Sequence, residues 1–299
     1  MSRSPPAADS AGAWILAARP RTLPAAVAPV LVGTGLAASH GALARGPALA
    51  AMAGALLIQV GTNFANDYFD FHKGADTDAR VGPVRAVHAG LLGSRAVAAG
   101  SAGAFLGATA CGVYLTAVAG WPVVVIGLAS IAAGVLYTGG PVPIGYVGLG
   151  DPFVFVFFGL VAVGGTYYVQ ALTLAPDALL AGAAMGALIT AILVVNNLRD
   201  MDTDAAAGKR TLAVLLGEVG TRAEFALLVA VAFAIPLVGV VEYGWPSTTL
   251  FALATAPLAL GPVRAVMARR DPARLNRALG STARLVALFG ILFTLGLVA

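Results

Sequence analysis

Stretches of about twenty apolar residues, the length of one membrane crossing, alternate along the chain with short polar segments. They predict nine spans, at about 22–43, 47–67, 95–118, 121–138, 151–171, 177–197, 223–241, 246–266 and 280–298. Small residues crowd the spans, as in GALLIQVGTNFAND and GAAMGALITA, and let helices approach closely where no water drives them together. The expected fold is all-α: a polytopic membrane protein with nine transmembrane helices around a central cavity. Residues 1–13 read as a disordered polar tail, since no continuous apolar core precedes a small-residue cleavage site. Residues 14–299 read as one membrane domain of two four-helix pseudo-repeats plus a ninth helix.

Composition agrees with the pattern. Of 299 residues, 59% are hydrophobic and 11% charged, and mean hydropathy is +0.88; a soluble domain carries about a quarter charged residues. The net charge of +4 suggests a nucleic-acid partner only until the basic residues are placed. Arg3, Arg19 and Arg21 precede the first span, Lys73, Arg80, Arg85 and Arg95 follow the second, Arg199, Lys209, Arg210 and Arg222 follow the sixth, and six arginines from Arg264 to Arg284 follow the eighth. Arg45 alone falls on the opposite side. Topology therefore explains the charge, with the amino terminus and these loops in the cytoplasm of a plasma-membrane protein. The single cysteine, Cys111, excludes an intramolecular disulfide.

Two polar stretches break the apolar background. NDYFDFHKGADTD (Asn66 to Asp78) closes the second span, and NNLRDMDTD (Asn196 to Asp204) closes the sixth. If the helices continue, Asn63, Asp67 and Asp70 share one face, as do Asn197, Asp200 and Asp204, with Asn66 and Asn196 each one turn before an aspartate. Like charges so spaced repel, and oxygen donors without His or Cys favour a hard cation. Magnesium takes one or two carboxylates and fills its shell with water and substrate phosphate. The expected ligands are Asn66, Asp67, Asp70, Asp76, Asp200 and Asp204, with Lys73, Arg199, Lys209 and Arg210 contacting a diphosphate. Solvated helix-end charge is the better account of Asp202, Asp78 and Glu218.

N-D-Y-F-D with K-G-A-D-T, and N-N-L-R-D-x-x-T-D with G-K-R-T-L-A-V, resemble the two signature loops of the UbiA superfamily of membrane prenyltransferases. Within it the chain resembles the branch that uses 1,4-dihydroxy-2-naphthoate in menaquinone biosynthesis, through A-x-R-P-R-T-L-P-A-A-V-A-P-V (Ala17 to Val30), G-P-V-R (Gly82 to Arg85), Y-T-G-G-P-x-P (Tyr137 to Pro143) and G-L-G-D (Gly148 to Asp151). The superfamily often writes its first loop N-D-x-x-D-x-x-x-D; here Gly74 takes the last position and Asp76 follows two residues on.

The resemblance implies a magnesium-dependent reaction in which a polyprenyl diphosphate alkylates 1,4-dihydroxy-2-naphthoate, releasing diphosphate and carbon dioxide and giving demethylmenaquinone. Asp70 and Asp200 carry the catalysis in this reading. The allylic cation needs aromatic walls, for which Tyr68, Tyr137 and Tyr146 are candidates, Tyr137 first because it opens Y-T-G-G-P. Arg19, Arg21 and Arg85 are candidates to receive the acceptor's carboxylate, with membrane orientation and lipid headgroups as the alternative role of juxtamembrane arginines. The alternatives are another aromatic acceptor, such as 4-hydroxybenzoate or homogentisate, and an ion-coupled transporter, whose intramembrane carboxylates would also lie between repeats.

Overall fold

The computed structural model describes residues 6–74, 84–268 and 271–299, and every regular element among them is helical. In order these are α1 (Ala11–Ala18), α2 (Pro24–Ser39), α3 (Arg45–His72), α4 (Ser94–Ala119), α5 (Pro122–Leu136), α6 (Gly150–Val154), which runs through a π-helical stretch (Phe155–Val161) into α7 (Ala162–Ala171), α8 (Pro176–Ala206), α9 (Leu212–Tyr243), a 3-10 stretch (Ser247–Thr255) leading into α10 (Ala256–Met267), and α11 (Pro272–Val298).

Seven of these runs are long and apolar enough to cross a membrane, eight if α1 and α2 make one bent span. The chain is a multi-pass membrane protein, but the expected nine spans are not all met among the described residues. The difference is α5: its 15 residues reach about 22 Å at 1.5 Å per residue, short of the roughly 30 Å hydrocarbon layer. The first expected span is met by α2, and the chain bends by 52° just ahead of it, between Ala11–Thr22 and Pro24–Ser39. Arg19 takes a left-handed φ of 52°, and Pro20 and Pro24 each open a new helical segment because neither can continue the old one. Helix α1 also begins inside the stretch read as tail, with Ser10 capping it through Ala13 N at 3.2 Å and Ala13 fully buried.

Two helices overrun their predicted ends. α3 has 28 residues and α8 has 31, about 42 and 46 Å, so each carries its polar stretch as further helical turns beyond the apolar layer. α8 is the axis of the bundle, packed by α2, α9, α11 and the π-helical stretch. Its crossing with the π-helical stretch is made by glycines: a Cβ on Gly159 would stand 2.5 Å from the Gly182 carbonyl oxygen and 2.6 Å from Gly186 Cα.

The two ends of α8 are polar in different ways. At its start Asp177 accepts from Trp245 Nε1 at 2.9 Å and lies 3.3 Å from His40 Nε2, while His40 Nδ1 shares a 2.8 Å hydrogen bond with the Tyr167 hydroxyl. That network ties α2, α7, α8 and the segment after α9. At its other end lie the residues singled out by sequence.

Candidate active site

On α3, Asp70 is buried and doubly engaged: Arg85 Nη2 donates to Oδ2 at 2.6 Å and the Tyr146 hydroxyl to Oδ1 at 2.8 Å. Asn66 Oδ1 accepts from the Thr138 hydroxyl at 2.8 Å. One turn from Asp70, Asp67 faces the segment after residue 83 instead, accepting from Ala86 N at 3.0 Å, and lies within Coulombic reach of Arg19. Asn63 does not join the acids. Its amide donates to the Ala18 carbonyl at 2.9 Å and the Thr22 hydroxyl at 3.0 Å, fixing the turn that carries Arg19 and the exposed Arg21.

Lys73, just past the end of α3, donates to the Thr138 and Gly140 carbonyls at 2.6 and 3.0 Å. Desolvation lowers its ammonium below the ordinary 10.5, opposed by Asp70 and reinforced by Lys209. Tyr68 packs beside Phe69 and His72 against the cluster beneath α1. Asp76 lies outside the described residues.

On α8, Arg199 is buried and makes a two-pronged contact with its neighbour Asp200, Nε to Oδ1 at 2.7 Å and Nη2 to Oδ2 at 2.5 Å. It also donates to Asn196 Oδ1 at 2.8 Å and to Asn276 Oδ1 of α11 at 2.7 Å. Asp204 lies 3.9 Å from Lys209 Nζ. Arg210 is exposed, and its backbone N–H donates to the Tyr146 carbonyl at 2.8 Å.

The two helices meet at Tyr146. Its hydroxyl is on Asp70, Lys209 Nζ stands 4.5 Å from its ring centroid, and Lys73 Nζ stands 5.4 Å from it. Tyr137 lies beside it: Gly145 and Gly150 leave room for its ring, a Cβ on either meeting Cε1 at 3.0 Å or the hydroxyl at 3.1 Å. Burial pushes the Tyr137 phenol above its ordinary value, and Asp151, Asp70 and Asp204 push it the same way. Asp70, Asp204, Lys73, Lys209, Tyr137 and Tyr146 are thus gathered in one place. Asp200 and Arg199 are tied towards α11.

Among the described residues no group of three or more His, Cys, Asp or Glu side chains is gathered to hold an ion. The like-charge repulsion along each helix is relieved by cations of the chain: Arg85 on Asp70, Arg199 on Asp200 and Lys209 near Asp204.

The UbiA prenyltransferase family model matches residues 26–294. The chain belongs to that family. A UbiA-family relative, the 1,4-dihydroxy-2-naphthoate octaprenyltransferase of Mycobacterium tuberculosis, is 46% identical over 259 residues, covering 86% of this chain and 88% of the relative. Among solved structures, the apo structure of a UbiA homologue from Aeropyrum pernix K1 matches with TM-score 0.71 at 16% identity, over 91% of this chain and 97% of that one. A UbiA homologue from Archaeoglobus fulgidus bound to GPP and Mg2+ matches with TM-score 0.68 at 13% identity, over 94% and 99%. These likenesses carry the UbiA fold.

Three residues of this UbiA site escape sequence reasoning. Asn276 lies 77 positions from the Arg199 it receives, and no local pattern signals that. Asp151, buried and accepting from Asn197 Nδ2 at 3.4 Å, was visible only inside G-L-G-D. Thr138, which holds Asn66, was visible only inside Y-T-G-G-P.

Proposed function

We propose that this enzyme transfers a polyprenyl group from polyprenyl diphosphate to 1,4-dihydroxy-2-naphthoate, releasing diphosphate and carbon dioxide and giving demethylmenaquinol, the hydroquinone form of demethylmenaquinone. The acid-bearing ends of α3 and α8 face the cytoplasm in a plasma-membrane protein, as the distribution of Lys and Arg supports. The observation that carries the reading is Tyr146: one side chain touches the carboxylate of the first acidic helix and the lysine that follows the second.

The donor set fits magnesium in kind, since Asn66, Asp70, Asp200 and Asp204 offer only oxygen. Bound there with the donor, the ion would neutralise charge building on the departing diphosphate. Asp76 completes the proposed metal set, whereas Asp67, held by Ala86 N, supports the acid face from beside it. Each principal carboxylate already has a cation beside it, and those cations suit phosphate oxygens. Donor binding is therefore an exchange of partners at Lys209, which turns from Asp204 to phosphate.

Lys73 and Lys209 flank one ring, and Lys209 disfavours the charge on Lys73, so an anion between them relieves Lys73. Arg210 adds a contact from the exposed side. Arg199 holds Asp200 in place and so acts on the site through it. Tyr137 keeps its proton, and so offers the allylic cation a neutral aromatic face without a competing phenolate; Tyr68 extends that wall. Arg19, Arg21 and Arg85 take the acceptor's carboxylate, on the side where Arg19 faces Asp67 and Arg85 faces Asp70.

The test offers purified protein, magnesium and one polyprenyl diphosphate to 1,4-dihydroxy-2-naphthoate and 4-hydroxybenzoate together, with products weighed by mass spectrometry. The decarboxylated naphthoate product is expected. A prenylated 4-hydroxybenzoate that keeps its carboxylate, as the main product, would overturn the acceptor assignment.

A further inference from the structure

A cavity of about 400 Å³ opens between the end of α10 and the start of α11, within the range of small-ligand sites, about 300–1,000 Å³. It arises because the facing stripes carry small residues at helical spacing, Gly261 and Ala265 on α10 and Ala278 on α11. The same stripes place Arg264, Arg274 and Arg277 around it. Among the described residues no carboxylate pairs with these three guanidiniums, whereas Arg85, Arg199 and Arg222 each have one. The nearby Asp271 uses Oδ1 to cap Ala273 N at 3.0 Å. Three like charges converging on one cavity repel, and orientation in the membrane requires only their number, not their convergence.

The groove sits at the membrane end that carries the acids, on its outer flank. Asn276 of the same α11 turn points the other way and accepts from Arg199 of α8. Guanidinium matches the paired oxygens of a phosphate, and at a bilayer surface the abundant phosphate-bearing anion is a lipid headgroup. We propose that this groove binds the phosphodiester headgroup of an anionic phospholipid, held by Arg264, Arg274 and Arg277. The inference is independent of the acceptor and of catalysis, because none of the three arginines belongs to the proposed reaction site.

The full chain, reconstituted in nanodiscs of mixed phosphatidylcholine and phosphatidylglycerol and then extracted, is weighed intact with its retained lipids. Wild type is expected to keep phosphatidylglycerol. The Arg264→Gln/Arg274→Gln/Arg277→Gln variant should bind it on the order of a hundredfold more weakly, from roughly fivefold per arginine at a membrane surface. Gly261→Phe, which fills the groove where a Cβ meets nothing within 4 Å and leaves all three charges, should give a comparable loss. Arg284→Gln, on the same helix outside the cavity lining, should keep the lipid. Equal retention in wild type and the triple variant, or an equal loss in Arg284→Gln, would overturn the proposal. Displacement of the lipid by inorganic phosphate would show a site for the free anion and refute the lipid assignment.

Discussion

Arg199 gives the sharpest test of how the site is held together. Its guanidinium is buried and spends donors on Asp200, Asn196 and Asn276, four contacts of 2.5 to 2.8 Å. Arg199→Leu leaves the Asp200 carboxylate, itself buried, without its cation, and removing one partner of a buried pair costs about 3–5 kcal/mol. Replacing both, Arg199→Leu with Asp200→Leu, removes the uncompensated charge, and hydrophobic replacement of a whole buried pair is often close to neutral. Both variants lose turnover, so activity does not discriminate; stability does. Unfolding in detergent, followed by tryptophan fluorescence against denaturant, should show the single variant destabilised by about 3 kcal/mol or more and the double variant recovering most of that. If Arg199→Leu unfolds within about 1 kcal/mol of wild type, the range of an exposed pair, and only raises the KM for donor, Arg199 is a phosphate ligand and not the support of Asp200.

Four further outcomes follow from the geometry. Tyr146→Phe keeps the ring beside both lysines but loses the hydroxyl on Asp70, and should cut kcat by about tenfold, the worth of one hydrogen bond to a charged group; Tyr146→Ala should cut it further, and equal effects would place the function in the hydroxyl alone. Lys73, with its pKa lowered below 10.5, is lost as a cation earlier on the alkaline side than an ordinary lysine, so donor affinity should fall there, and Lys73→Arg should shift that fall to higher pH in a titration of KM. Gly186→Val should destabilise by about 1–3 kcal/mol or more, because a Cβ there already stands 2.7 Å from the Phe155 carbonyl oxygen; a normal unfolding midpoint would show that the π-helical stretch gives way. Chelation of divalent ions should stop turnover, with recovery on adding Mg2+, and persistent activity after exhaustive chelation would remove the metal from the reaction.

The helical reading of the acidic stretches was legible because Asn66 and Asp70, and Asn197, Asp200 and Asp204, repeat at one helical turn. What a pattern of spacing does not reveal is which cation each carboxylate meets. Arg85 reaches Asp70 across a connecting segment, and Asn276 reaches Arg199 from another helix. Asp67 looked like a member of the acid face, yet the backbone at Ala86 claims it. The expected count of nine is not met at α5 among the described residues, because apolar composition alone does not register a helix that ends at Leu136, just before Y-T-G-G-P. Tyr146, one of several aromatic candidates in sequence, is the side chain on which the two halves meet.

The acids Asp70, Asp200 and Asp204 ride on continuous helices anchored deep in the bundle, whereas Arg85 and Lys209 belong to the connections between helices and Tyr146 to a single 3-10 turn, Ile144–Tyr146, within one of them. The anionic half of this chemistry is therefore the fixed half. On the proposed exchange of partners, these connections are what must yield, so substitutions that stiffen them should slow the cycle even where every donor and acceptor is preserved.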